Sequence, residues 1–130
     1  MKEPIVIMNF SGVYELEPFY NNPNFIQIDC SGIAGTDCYC SNEAIKKINK
    51  LISPYPSEGI HFIDNGDYHY LTKFWTDKIT YPFTLVLFDH HTDMQPSQIP
   101  GFLSCGNWVK IAIGENPRIK KVIIVGASGK

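Results

Sequence analysis

Three residues alternate in the stretch LVLFDHHTDMQ, positions 85–95: Asp89, His91 and Asp93. In an extended segment, side chains two positions apart leave the backbone on the same side. The spacing therefore aims two carboxylates and one imidazole at a single point. Carboxylate oxygen mixed with imidazole nitrogen suits manganese, iron or zinc, whereas calcium takes oxygen ligands alone. His69, in a second polar cluster, IDNGDYHY at 63–70, is the fourth candidate ligand. The plainer alternative is that Asp89 caps a helix and the histidines are exposed loop residues. A second histidine-bearing strand end beside the motif argues for a metal site instead. His90 alternates with His91 and should point away, into packing or a hydrogen bond behind the ligands. Asp64 and Asp67 flank His69; turn formation is their expected role, with orientation of the ligands as the alternative.

The elements that must position these residues follow from the apolar pattern. PIVIMNF (4–10), NFIQIDCS (24–31), GIHFID (59–64), FTLVLFD (83–89) and KKVIIVGAS (121–128) read as strands. SNEAIKKINKLI (41–52) places Ala44, Ile45, Ile48, Leu51 and Ile52 on one helical face, with Ser41 or Asn42 as cap. Pro54 and Pro56 end it. YHYLTKFWTDKI (68–79) reads as helical, with Tyr68, Tyr70, Phe74 and Trp75 as packing residues, and 104–117 has room for another helix. His61 lies mid-strand as a core or face residue. Helices alternating with continuous apolar strands predict an α/β fold, a parallel sheet with helices on both faces. Ligands of such sheets sit at the carboxyl ends of the strands, where both polar clusters fall.

At 130 residues the chain has the length of one domain, and 44% apolar with 18% charged residues makes it globular rather than disordered. A net charge of −2 without a basic run disfavours nucleic acid and anionic membrane as partners. No apolar run has the length of a membrane span, and the N-terminus lacks the features of a leader peptide, so a cytoplasmic location is expected. Cys38 and Cys40 lack the C-x-x-C spacing of a zinc half-site. With Cys30 and Cys105 they are expected to be reduced, small, buried residues.

Asp89-His90-His91-Thr92-Asp93 resembles the D-A-H-x-D motif of the arginase/deacetylase superfamily, the ureohydrolase fold. Gly66-Asp67-Tyr68-His69 is similar to that family's G-G-D-H loop, with Tyr68 inserted before the histidine. LSCGNWV (103–109) falls where the family carries a small-residue substrate loop containing Gly-Asn and a histidine; here Trp108 stands and no histidine does. The text from GTDCYCSNEA through FIDNGDYHYLT to SCGNWV resembles arginase-family proteins of bacteria. The resemblance implies a three-layer α/β/α fold. It also implies His69, Asp89, His91 and Asp93 as ligands, with Asp89 and His91 closest to the chemistry. Asp67, His90, Ser104 and Asn107 would lie behind the ligands or in the substrate loop. The implied activity is hydrolysis of a C–N bond in a guanidino, amidine or amide substrate, through a hydroxide bridging two manganese ions. Two alternatives stay open: a deacetylase-like amide hydrolase using one zinc, and a non-catalytic arginase-like binding domain.

The family takes two further aspartates from a later strand-end motif, and after Asp93 the only acidic residue is Glu115. The chain is therefore expected to be the N-terminal portion of a longer arginase-like domain. By itself it should be inactive, weak in metal binding and prone to form homo-oligomers through uncovered sheet. With the ion missing, repulsion between Asp89 and Asp93 should raise one carboxyl pKa. GASGK (126–130) has the glycines and lysine of a phosphate-binding loop but not the G-x-x-x-x-G-K-[ST] spacing, so a strand-end turn is expected.

Overall fold

The computed structural model describes residues 3–97, 99 and 101–128. Strand β1 (Ile5–Asn9) is the centre of the molecule, and Val6, Ile7 and Met8 are fully buried. It pairs in parallel with β2 (Ile26–Asp29) on one side. Two short strands come later in the chain: β3 (Tyr39–Cys40) and, after a helix, β4 (Ile60–Phe62). β4 completes the parallel sheet on the other side of β1, giving the order β2-β1-β4. Gly59 makes that approach possible. Its φ of +114° is open only to glycine, and a Cβ there would meet the Pro4 carbonyl oxygen at 2.1 Å.

Helix α1 (Asn42–Ile52) starts at Ser41, whose hydroxyl accepts from the Ala44 amide at 3.1 Å. It buries Ala44, Ile48 and Ile52, one residue per turn of the same face, against the β1 core. Ile45 packs at the edge of this core and Leu51 is exposed. A 3-10 turn (Gly66–Tyr68) leads into α2 (Leu71–Thr76), which buries Leu71, Phe74 and Trp75. Tyr68 and Tyr70 are buried as well, so the whole aromatic group packs into the core. The indole of Trp75 lies over His61, ring centroids 4.0 Å apart. His61 Nε2 is buried without a hydrogen-bond partner among the described residues, and burial lowers the imidazole pKa.

Strand β5 (Phe83–Phe88) pairs in parallel with β7 (Ile119–Val125), and between them lie β6 (Leu103–Ser104) and α3 (Trp108–Glu115). β6 pairs antiparallel with β3. Lys73 on α2 ties to α3 through Glu115 at 3.0 Å while also holding Asp77 at 2.7 Å.

The chain is thus α/β with small parallel sheets and few helices. It departs in three respects from a single parallel sheet covered on both faces. First, β2-β1-β4 and β5-β7 are separate hydrogen-bonded ladders. Second, β5 is not buried on both faces. Leu85 and Leu87 face the core, while Val86 and Phe88 are 49% and 77% exposed and sit opposite Ile123 and Val125, which are also exposed. An apolar run records that a strand can be covered, not what covers it, and among the described residues nothing packs on this face. Third, the helix expected over 68–79 is only α2, because its first turn is spent in the 3-10 turn that carries the polar cluster. The antiparallel pair β3-β6 has no sequence signature, since each strand is two residues long in turn-rich text. After β7 the chain turns at Gly126; the lysine of the GASGK stretch lies outside the described residues.

Candidate metal centre

β5 delivers Asp89 to the carboxyl end of the β5-β7 sheet, and the Asp89 amide donates to the Val125 carbonyl at 3.0 Å. Gly126 allows this closure, because a Cβ there would press to 3.3 Å on the Asp89 carbonyl oxygen. Beyond Phe88 the segment is no longer extended. Asp89 Oδ1 accepts from the His91 amide at 2.9 Å, a local turn that folds the chain back. Asp93 takes a left-handed backbone conformation, φ 54°. Asp89 and Asp93 therefore come together through a turn, not through strand alternation.

Asp93 is 4% exposed. Its Oδ2 accepts from Trp108 Nε1 at 2.7 Å, and its carbonyl accepts from the Val109 amide at 3.0 Å, so the start of α3 holds it from both ends. His69 approaches from the other polar cluster. Its amide donates to the Gly66 carbonyl at 3.2 Å, closing the 3-10 turn. Its Nδ1 lies 3.2 Å from Asp89 Oδ2 and 3.0 Å from Asp93 Oδ2. One donor atom from each of His69, Asp89 and Asp93 falls within 4.8 Å of the others. The three line a cavity of about 520 Å³ with Asp67, His91 and Cys105.

The two carboxylates are electrostatically unlike. Burial pushes the Asp93 carboxyl pKa up, and the charge of Asp89 adds to the rise against the pull of Trp108 and His69. Burial works on Asp89 in the same direction, but the His91 amide, Asp93 and the two imidazoles outweigh it and hold Asp89 below its ordinary value. Two acids of divided affinity for the proton, with an imidazole between them, are what a divalent cation would neutralise.

The residues singled out by sequence divide clearly. His69, Asp89 and Asp93 converge. His91 stays at the edge: its Nδ1 is 3.4 Å from Asp89 Oδ1, but its side chain is 78% exposed and it stands outside the convergent group. The turn at Asp89 explains this, because it destroys the alternation that would have put His91 beside both acids. His90 is exposed, and its carbonyl accepts from the Ser128 amide at 3.3 Å. Tyr68, the inserted residue, stacks on Phe10 with ring centroids 4.4 Å apart, so His69 and not Tyr68 faces the carboxylates. Asp67 is exposed and groups with Cys38 and Cys105 instead.

Both ends of the Asn107 amide are engaged within the protein. Its oxygen accepts from the Ser104 amide at 2.7 Å, and its nitrogen donates to Ser97 Oγ and the Phe102 carbonyl, both at 2.8 Å. Ser104 is buried, and its hydroxyl accepts from the Gly106 amide at 3.3 Å. Asp64 is a structural joint, accepting from the amides of Phe10 (2.9 Å) and Ser11 (3.0 Å) and from the Ser11 hydroxyl (2.6 Å).

Trp108 was not singled out as a site residue, although its role has a signal: a buried indole N–H needs an acceptor, and the nearby buried acid supplies one.

No family model matches the chain. No solved structure matches it either. It is 32% identical over 124 residues to a protein of Thermotoga maritima described as uncharacterized, a match that covers 94% of this chain and 48% of that protein. The chain thus spans about half the length of the curated relative it matches.

Proposed function

We propose that the chain carries the metal-binding part of a hydrolase that cleaves a C–N bond in a guanidino, amidine or amide substrate, with the arginase-like three-layer α/β/α architecture. The observation that carries this reading is the convergence of His69, Asp89 and Asp93, from the segments that follow β4 and β5, on an open cavity. The donor set, one imidazole nitrogen and two carboxylate oxygens, fits manganese, with zinc as the alternative. A divalent cation there would supply a water of lowered pKa and a Lewis acid for the substrate. The chain's own residues do the positioning. Trp108 holds Asp93 at one oxygen, the His91 amide fixes the Asp89 carboxylate, and the Gly66–Tyr68 turn sets the imidazole of His69.

Three convergent donors also favour a second reading, a single-zinc amide hydrolase, since catalytic zinc takes three protein ligands and leaves a position for water. Metal stoichiometry separates the two. The test of the function is hydrolysis by the full-length protein, supplied in turn with manganese and zinc, of guanidino, amidine and amide compounds. Metal-dependent turnover of one class is expected, with Asp89→Asn reducing it to background because a neutral amide is a far poorer cation ligand. Undiminished turnover in the variant, or none with either metal on all three classes, would overturn the reading.

A further inference from the structure

The antiparallel pair β3-β6 brings two thiols together at the rim of the candidate metal centre, where Cys105 lines its cavity but stands apart from the convergent His69, Asp89 and Asp93. The ladder matches Tyr39 with Ser104 and Cys40 with Leu103, so one further step in register sets Cys38 opposite Cys105. The Cys105 amide donates to the Cys38 carbonyl at 2.8 Å, which confirms that step. The two sulfurs lie 2.7 Å apart. Directly opposed residues of an antiparallel ladder have Cα atoms about 4.5–5.5 Å apart, inside the range that a disulfide spans. Both thiols are half-buried and line an open cavity of about 430 Å³. Cys30 and Cys40, in contrast, are each 1% exposed. The expectation that all four cysteines are buried residues of one kind therefore fails for this pair. Cys38 also holds a left-handed backbone conformation, φ 62°, which a non-glycine residue adopts only where its surroundings impose it.

We propose that Cys38 and Cys105 are a thiol-oxidation site that forms a reversible disulfide by exchange with a low-molecular-weight disulfide. The Cys38 thiolate attacks one sulfur of the small disulfide, forming a mixed disulfide and releasing one small thiolate. Cys105 then gives its proton to solvent and attacks the Cys38 sulfur, expelling the second small thiolate. Two protein thiols lose two electrons and two protons, and the oxidant's S–S bond takes them up as two thiols. Cys38 attacks first because burial, and then Cys38 itself, push the Cys105 thiol up to about 12 and keep it protonated. The bond would lock the 31–40 segment onto the turn before α3. That turn supports the metal centre, since the Gly106 carbonyl accepts from the Gln95 amide at 2.9 Å and Trp108 holds Asp93. The proposal does not rest on the metal reading, because the chemistry needs only the two thiols.

Counting thiols tests it. The reduced protein, freed of metal by a chelator, is treated with glutathione disulfide, then denatured, alkylated and weighed. Four alkyl groups are expected on the reduced chain and two after oxidation, with peptide mapping placing the bond between Cys38 and Cys105 and dithiothreitol restoring four. Cys105→Ser should stop at the mixed disulfide, retaining one glutathione on Cys38. Four alkyl groups after oxidation would overturn the proposal, as would a bond that involves Cys30 or Cys40. It also falls if Cys38 and Cys105 hold a zinc ion with Asp67, which would appear as one chelatable zinc lost on Cys38→Ser and thiols that stay unoxidised after the chelator.

Discussion

The acid most deeply placed in the candidate metal centre, Asp93, has its carboxylate held by one indole N–H, and that dependence can be measured. Trp108→Phe keeps the aromatic bulk but removes the 2.7 Å hydrogen bond to Asp93. Ligand-orienting partners of this kind typically contribute about 10–100-fold to metal affinity. We expect manganese or zinc affinity to fall by that order in the variant, read by calorimetry on protein whose circular dichroism is unchanged. Equal affinity would show that Trp108 merely fills space. At this scale three of the four candidate ligands converge as the sequence suggested and the fourth, His91, does not. Asp89, Asp93 and His69 announced themselves by strand-end position. The alternation that included His91 assumed an extended chain, and the Asp89 carboxylate broke it by capturing the His91 amide. Tyr68 packs as expected, while the structural role of Asn107 rests on side-chain and backbone partners at Ser97, Phe102 and Ser104 that the motif does not encode.

Among the elements, β1 and β4 are fastened at their carboxyl ends by Asp64, which also takes a left-handed conformation, φ 73°. Burial alone would raise its carboxyl pKa, but the Ser11 hydroxyl and the amides of Ser11, Phe10 and Asn65 hold it below its ordinary value. A carboxyl lowered in the folded state stabilises the fold above its unfolded value of 3.8 and loses that contribution as pH falls through the folded value. Asp64→Asn keeps a residue type that tolerates left-handed backbone and removes the charge. The variant should be less stable than the parent by about 1–2 kcal/mol at neutral pH, with the gap closing as the pH is taken below about 4. Denaturant titrations at both pH values measure it, and a gap independent of pH would contradict the role. The main elements were legible because each carried its own period: α1 as a buried stripe with a serine cap, β1 as an unbroken apolar run. β3 and β6 were not, because two-residue strands are made by pairing and leave no local pattern.

For the molecule as a whole, the exposed sheet face of Val86, Phe88, Ile123 and Val125 is the clearest liability. We expect the chain to self-associate with concentration in sedimentation velocity, and Phe88→Lys to shift it toward monomer. A parent that stays monomeric throughout would remove the homo-oligomer from the account. Among the described residues no helix is long and apolar enough to cross a membrane. Sheet order and the covering of β5 were not readable, since they depend on which apolar faces meet. The central claim is that His69, Asp89 and Asp93 act together as ligands of one site. Its most direct test is calorimetric titration of manganese, and separately zinc, into metal-free protein, its Asp93→Asn variant and a His90→Asn control whose exposed side chain lies outside the group. The account predicts saturable binding to the parent and the control and no measurable binding to Asp93→Asn. Equal binding by all three proteins, or none by the parent with either metal, would contradict it.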